Sequence, residues 1–172
     1  MGLFDLFKSS PPSQEVLANP SIRKIIHELE HMPQDQAKYL AAFAYILGRV
    51  AHVDLDISEE ETATMEEIVS GFSEITPDLA TLIVQIAKSQ NILFGATDNY
   101  LVVREFKKIS DPGQKEGLLH CLFAVAGADD EITSLESDEI RRISKELGLS
   151  HREFIDVRTH YLDKLSVLKN KP

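Results

Sequence analysis

Two stretches decide how this chain folds: residues 53–61 read VDLDISEEE, and residues 128–136 read ADDEITSLE. Each stretch leaves a strongly apolar segment and passes through several carboxylates. It then reaches a serine or threonine that is followed three residues later by a glutamate. This last pattern is a capping box, which starts a helix. We therefore predict that each stretch is a turn between two helices, and we name them the first acidic turn (residues 53–61) and the second acidic turn (residues 128–136).

The two turns belong to a longer repeat with an offset of 75 residues. Apolar side chains recur at this offset on both sides of the turns, and the pairs are Phe43 and Leu118, Leu47 and Leu122, Val50 and Val125, Met65 and Ile140, Ile68 and Ile143, and Phe72 and Leu147. Their spacing within each copy is that of one face of a helix. The sequence therefore predicts a helix–turn–helix unit that is present twice.

The length of 172 residues favours one domain with enough core to fold without disulfides or a structural metal. We expect an N-terminal segment and linker at residues 1–19 and a helical domain at residues 20–172, with repeat halves at about 20–90 and 97–165. Residues 1–8 do not resemble a secretion signal and are expected to dock on the body or fray, with contact to a membrane or a partner as the alternative.

Composition excludes several classes of protein. The chain is 43% hydrophobic and 27% charged, and no apolar run approaches the ~20 residues that span a bilayer. Cys121 is the only cysteine and lies in an apolar segment, so we expect a buried thiol and a reducing, cytoplasmic setting. Integral membrane insertion is not expected.

The net charge of −10 comes from 28 Asp and Glu against 18 Lys and Arg. A chain this acidic is a poor ligand for nucleic acid, whose phosphates it would repel, and cations or basic protein surfaces are better candidates. The charge is also unevenly distributed. Nine carboxylates and no Lys or Arg lie between Arg49 and Lys88, whereas the last third of the chain is rich in both basic residues. This pattern predicts an acidic and a basic face.

The whole pattern predicts an all-α fold of about eight helices, in two four-helix halves around two central buried helices. The central helices are residues 34–52 and the segment that contains residues 118–126, because both are apolar around most of their circumference. Helix starts are marked by six N-cap residues: Asn19, Ser58, Thr76, Asp111, Thr133 and Ser150. Gly148 is the predicted C′ residue, and a last helix is predicted from Ser150 to about Leu165.

The acidic turns are candidate cation sites, because staggered carboxylates beside backbone carbonyls suit a hard cation such as calcium. The candidate ligands are seven carboxylates: Asp54, Asp56, Glu60, Glu61, Asp129, Glu131 and Glu136. Neither turn is an EF-hand loop, since the glycine at its sixth position and the glutamate at its twelfth are missing. The structural alternative is that these acids only cap helices and interact with the helix dipole.

A second motif, HELEH at residues 27–31, has the H-E-x-x-H spacing of zinc proteases, in which His27 and His31 would bind zinc and Glu28 would be the general base. Pro33 ends the helix directly after the motif, and no glycine and third histidine follow. A chance match on a solvated helix face is therefore preferred. No phosphate-binding glycine loop, CxxC pair or nucleophile elbow is present, so no enzymatic activity is expected.

The residues of the two turns resemble the tellurite-resistance TerB-like family, which includes the N-terminal region of membrane-anchored DnaJ-type co-chaperones. The family signature is an apolar helix ending in Ala-Asp-Gly-x-Ile-Ser/Thr-x-x-Glu. The matching residues here are Asp54, Ile57, Ser58, Glu60 and Glu61 in the first copy and Ala128, Asp129, Glu131, Ile132, Thr133 and Glu136 in the second. The family glycine is replaced by Leu55 and by Asp130, and Asp tolerates the left-handed conformation better than Leu.

The resemblance spans residues 20 to 165. It implies an internally duplicated helical fold, an acidic patch suited to cations, and a stress-related role in the bacterial cytoplasm without catalysis. Three hypotheses follow. The leading one is a non-enzymatic module whose acidic face binds a divalent cation or a basic protein partner. The second is a purely structural or protein-interaction module without metal, and the third is a small zinc hydrolase that uses HELEH.

Overall fold

The computed structural model describes residues 14–51, 59–71, 75–89 and 99–169. These ranges are almost entirely helical, and their only extended pairing is a single parallel bridge between Ile132 and Leu165. The helices are α1 Gln14–Leu17, α2 Pro20–Glu30, α3 Gln34–Ala51, α4 Glu59–Ser70, α5 Pro77–Lys88, α6 Asn99–Ile109, α7 Pro112–Ala126, α8 Ser134–Glu146, α9 His151–Arg158 and α10 Ser166–Lys169, with a 3-10 helix at Thr159–Lys164 before α10. The all-α fold predicted from the sequence is confirmed.

α3 is the centre of the fold, as its composition predicts. Every residue from Leu40 to Val50 is buried, and α3 packs against α2, α5, α6, α7 and α8. Its alanines let neighbouring helices approach closely, and each fully buried Leu or Ile contributes about 1.5–3 kcal/mol of transfer free energy. α7 is the second strongly buried helix and packs against α3, α4, α8 and α9.

The predicted caps are present wherever the structure describes them. Asn19, Thr76 and Asp111 each precede a proline in the first turn of a helix, and each side chain accepts a hydrogen bond from a backbone N–H of that turn. Thr133 and Ser150 form complete capping boxes with the glutamate three residues on. Ser58, the predicted cap of α4, lies outside the described residues.

The end of α8 also follows the sequence prediction. Gly148 has a φ of +80°, its N–H donates to the carbonyl of Lys145 at 3.0 Å, and the N–H of Leu149 donates to the carbonyl of Ser144 at 3.1 Å. This pair of hydrogen bonds is a Schellman motif, which needs a left-handed residue at Gly148.

The repeat also predicts matching burial in both copies. Val50 and Val125 are both buried, and so are Met65 and Ile140. The internal duplication as a whole stays a prediction.

The C-terminal part differs from the prediction of one helix running to about Leu165. α9 ends at Arg158, and the 3-10 helix that follows is broken at Tyr161, which has φ −123° and ψ 16°. Tyr161 stacks on Phe123 at 5.3 Å between ring centroids, and its hydroxyl donates to the carbonyl of His120 at 3.0 Å. These tertiary contacts outweigh the local preference for helix, and they bring Leu165 next to Ile132.

The structure also bears on Cys121 and on membrane-spanning helices. Cys121 is buried, and burial raises the pKa of its thiol to about 12, as expected for a structural cysteine. Within the described ranges, no helix has both the length and the apolar character needed to cross a bilayer. Residues 1–8 lie outside the described part of the chain.

Candidate functional site

The second acidic turn links α7 to α8 and is held by hydrogen bonds between residues that are close in sequence. The N–H of Asp130 donates to the carbonyl of Gly127 at 3.0 Å, and the N–H of Glu131 donates to a side-chain oxygen of Asp129 at 3.3 Å. Asp130 has a φ of +68°, which places an aspartate at the left-handed position where the family signature has glycine. Asp129, Asp130 and Glu131 all point into solvent.

Glu136 is held by its capping box. It is buried, and its carboxylate accepts hydrogen bonds from the backbone N–H of Thr133 at 2.8 Å and from the Thr133 hydroxyl at 3.0 Å. The N–H of Glu136 donates back to the Thr133 hydroxyl oxygen at 3.2 Å. The carboxylate therefore stabilises the start of α8 rather than turning toward the exposed acids of the same turn.

Two lysines from the C-terminus reach this turn, and sequence reasoning missed them. The ammonium group of Lys164 donates to the carbonyl of Gly127 at 3.1 Å and lies 3.8 Å from a carboxylate oxygen of Asp130. The ammonium group of Lys169 donates to the carbonyl of Asp130. The only signal in the sequence was a lysine-rich end, residues 164–171, in a chain of net charge −10. Two carbonyls that a cation could use are thus already bonded to lysines.

The remaining predicted ligands are distributed as follows. Asp54 and Asp56 lie outside the described residues, and so does the side chain of Glu61. Glu60 is exposed in the first turn of α4. Across the ranges that the structure describes, no three His, Cys, Asp or Glu side chains are grouped closely enough to hold a metal ion.

The exposed side of α4 is an unusually acidic surface. Glu59, Glu60 and Glu67 are exposed and Glu66 is partly exposed, while Met65 and Val69 pack inward. Glu60 and Glu67 lie on the same side of the helix, because seven residues make about two turns. We name Glu59, Glu60, Glu66 and Glu67 the α4 acidic face. None of the ion pairs seen among the described side chains involves α4.

Arg49, the last basic residue before the acidic window, does not neutralise this face. Its side chain is 5% exposed and bonds to α8, with one nitrogen 2.6 Å from Glu139 and another 2.9 Å from Glu146. Burial acts to lower the pKa of Arg49, but the hydrogen bond to Glu146 and the charge of Glu139 outweigh it, and the pKa is raised. The guanidinium therefore links α3 to α8.

Half-buried His120 and exposed His160 form a cluster that connects α7 to the C-terminal segment. The His120 ring lies 5.4 Å from the His160 ring, and one His120 nitrogen lies 3.3 Å from the Tyr161 hydroxyl. Burial lowers the pKa of His120, the neighbouring His160 lowers it further, and Glu116 opposes the shift. The apolar helix pattern gave no reason to single out His120.

The HELEH histidines stand on the surface. The rings of His27 and His31 are 3.9 Å apart, and His31 is the C-cap residue of α2. A ring nitrogen of His31 lies 2.7 Å from the carbonyl of His27, so this nitrogen carries the proton and donates. A zinc hydrolase would need further ligands at this site, and within the described ranges no third one is grouped with these two.

Comparison with known proteins gives one finding. The family model described as "Tellurite resistance protein TerB" matches residues 39–159, which is more than half of the chain. The matched region begins in α3 and ends directly after α9, so it includes both acidic turns. No curated protein and no solved structure matches the chain.

Proposed function

Because this chain belongs to the tellurite resistance protein TerB family, we propose that it is a non-enzymatic helical module whose α4 acidic face binds a basic protein surface. The module works in the cytoplasm in a stress-related role. Its helices provide a rigid support, and its binding chemistry lies in side chains on that support.

The observation that carries this proposal is the contrast between the clustered glutamates of α4 and the glutamates of α6 and α8 that pair with basic side chains. Glu139 and Glu146 are paired with Arg49, and Glu105 is paired with Lys38 at 2.9 Å. The glutamates of the α4 acidic face form no ion pair with any described side chain, and the sequence supplies no Lys or Arg from residue 50 to residue 87. Their charge is therefore not neutralised within this stretch.

A concentrated acidic surface suits a protein partner. At about 0.15 M salt the Debye screening length is about 8 Å. Neighbouring glutamates on one helix face therefore act together on an approaching cluster of lysines or arginines. Such complementarity raises the association rate and selects basic partners over acidic ones. A cation would instead need several oxygens converging within coordination distance.

The experiment measures binding of a fluorescent oligolysine peptide by anisotropy at two salt concentrations. Replacing three exposed glutamates of the face, Glu59→Gln, Glu60→Gln and Glu67→Gln, should weaken binding at least about tenfold, since each exposed charge pair is worth up to about 1 kcal/mol. The matched control has the same change in net charge on other exposed sites, Glu28→Gln, Glu30→Gln and Asp156→Asn. Equal weakening in both variants would show that net charge alone binds the peptide, and the proposal would fail.

A divalent cation such as calcium is the alternative ligand for the seven predicted carboxylates. Its support is the staggered spacing of carboxylates in the turns. Calorimetric titration with calcium, magnesium, manganese and zinc tests it, with Asp54→Asn and Asp129→Asn as the variants that should lose binding. If millimolar ion produced no heat and no rise in the melting temperature, cation binding would be excluded, because a bound ligand must stabilise the folded state.

A further inference from the structure

The C-terminal segment lies across the second acidic turn like a bound peptide. We name residues 159–169 the C-terminal strap. The N–H of Ile132 donates to the carbonyl of Lys164 at 2.7 Å, and the N–H of Ser166 donates to the carbonyl of Ile132 at 3.0 Å. These two bonds form the parallel bridge between Ile132 and Leu165. A peptide that adds itself to an extended residue uses the same backbone pairing.

Side chains of the strap add a specific pattern to this pairing. Lys164 bonds to the carbonyl of Gly127 and Lys169 to the carbonyl of Asp130, and Leu165 between the two lysines is fully buried. The turn therefore binds a lysine, an apolar residue directly after it, and a second lysine five positions after the first. Carbonyl oxygens facing a pair of ammonium groups favour a basic segment over an acidic or neutral one.

Gly127 makes room for the first lysine. A Cβ atom at this position would lie 2.8 Å from Cδ of Lys164, so the lysine stem would have to shift, and 3.3 Å from Cγ1 of Ile132, which is a tight contact. The backbone of Gly127 has a φ of −90°, which any residue adopts, so the glycine provides space rather than a special conformation, and the Lys164 stem makes the closest approach to it. At the offset of 75 residues, the first copy has His52 in place of Gly127, Ser89 in place of Lys164 and Phe94 in place of Lys169. The pattern therefore belongs to the second copy.

The strap is held weakly enough to be displaced. Leu165 is its only residue that is fully buried, and α10, which follows, is a single helical turn. Three of the seven large hydrophobic side chains that are exposed in the described ranges lie in the strap, namely Leu162, Val167 and Leu168. A segment that served only to stabilise the fold would bury these side chains. Beyond Tyr161, which packs on Phe123, the strap is held by one buried leucine and a few hydrogen bonds of exposed or partly buried side chains. Such limited burial is typical of a region that opens locally without global unfolding.

We infer that the second acidic turn is a docking surface for a basic peptide segment with the pattern lysine, apolar residue, lysine five positions on, and that the C-terminal strap is its resident, autoinhibitory ligand. A partner segment of the same chemistry displaces the strap and takes over the contacts to Gly127, Asp130 and Ile132. This inference stands on different residues from the proposed function of α4 and holds whether or not α4 binds a partner.

The test uses the full chain and a fluorescent peptide with the sequence of residues 160–172. In the unmodified protein the resident strap competes at an effective concentration of the order of millimolar, so the peptide binds weakly. The double variant Lys164→Gln and Lys169→Gln keeps the Leu165 anchor but loses both ammonium contacts, and it should bind the peptide at least about tenfold more tightly. The control variant, Lys24→Gln and Lys145→Gln, has the same charge change at exposed sites and should bind as the unmodified protein does.

Two further arms separate the explanations. A peptide with glutamine at both lysine positions should lose the tightened binding, and substitution of Glu59, Glu60 and Glu67 by glutamine should leave it in place, because α4 takes no part. A double variant that binds no more tightly than the unmodified chain would overturn the inference. So would equal binding of the lysine and glutamine peptides.

Hydrogen exchange in the unmodified chain provides a test that needs no variant. If the strap opens locally, the amide of Ser166 exchanges much faster than the amide of Leu122 in the core of α7. Equal protection of the two amides would show that the strap leaves the turn only on global unfolding, and the inference would be wrong.

Discussion

α4 and α8 occupy corresponding places after the two acidic turns, but they differ in whether their carboxylates bond to other side chains. In α8 three of the four carboxylates have internal partners: Glu136 lies in a capping box, Glu139 bonds to Arg49 and Arg142, and Glu146 bonds to Arg49. The fourth, Asp138, is exposed. In α4 the exposed glutamates have no such partners among the described side chains. The difference indicates that α8 is part of the scaffold, whereas α4 presents its charge outward.

Arg49 creates much of this difference. It belongs to α3, which leads into α4, yet its side chain reaches across to α8. The residue at the corresponding position of the second copy is Ala124, so no arginine makes the reverse connection. An arginine that is present in only one copy therefore pairs with two glutamates of α8 and with none of α4.

The largest expected effect comes from removing Arg49. Arg49→Ala leaves Glu139 and Glu146 partly buried beside each other, and we expect a loss of about 2–4 kcal/mol in the free energy of unfolding. Urea denaturation measures it. The control is Arg142→Ala, an exposed arginine that also pairs with Glu139, which should cost less than about 1 kcal/mol. Similar losses in the two variants would show that Arg49 does not set α8 apart from α4.

Removing a cap is the next effect in size, and it tests whether the two copies are built alike. Thr133→Ala deletes the hydroxyl that bonds to Glu136, and it should lower the free energy of unfolding by about 1–2 kcal/mol. Ser134→Ala, at an exposed neighbouring position, should change it by less than about 0.5 kcal/mol. Ser58→Ala should match the cost of Thr133→Ala if the first acidic turn is a true copy, and a negligible cost would contradict the repeat.

A smaller effect concerns pH and belongs to the second half, because the residue corresponding to His120 in the first half is Tyr45. The pKa of His120 in the folded protein is lowered, mainly by burial, so the unfolded chain takes up a proton more readily. Stability is therefore complete above the unfolded pKa of about 6.5 and is lost as the pH falls from there through the lowered folded pKa.

Thermal unfolding at a series of pH values from 8 to 5 measures this effect. We expect His120→Gln to flatten the decline, and Lys115→Gln on the same helix to leave it unchanged. If the stability of His120→Gln fell as steeply with pH as that of the unmodified chain, other titrating groups would be responsible for the decline.

The smallest expected effect is on α4 itself. Glu60→Gln and Glu67→Gln should each change the free energy of unfolding by less than about 0.5 kcal/mol, because neither exposed side chain has an ion-pair partner among the residues that the structure describes. Glu139→Gln in α8 should cost more, since it weakens the bond to Arg49. A large loss in the α4 variants would mean that these glutamates stabilise the fold, and the comparison would break down.

Much of the fold could be predicted because its signals are local. The Thr133 and Ser150 boxes, the prolines after Asn19 and Asp111, and the left-handed Gly148 are each determined by neighbours a few residues away. Asp130 also adopts the left-handed conformation that its place in the family signature indicated.

The features that were missed depend on distant residues. Arg49 pairs with side chains 90 and 97 positions later, and Lys164 bonds to a carbonyl 37 positions earlier. Nothing in the periodicity of a helix indicates such contacts. The break after Arg158 was missed for the same reason, because it is set by packing of Tyr161 on Phe123 rather than by a helix-breaking residue.

The central claim is that α4 presents a free acidic face while α8 does not. It is tested most directly by titrating isotope-labelled protein with unlabelled oligolysine peptide and following each backbone amide by NMR. We predict that the largest shifts cluster between residues 59 and 70 and disappear on raising the salt concentration. Shifts centred on residues 134–146, or shifts spread evenly over all exposed acids, would contradict the account.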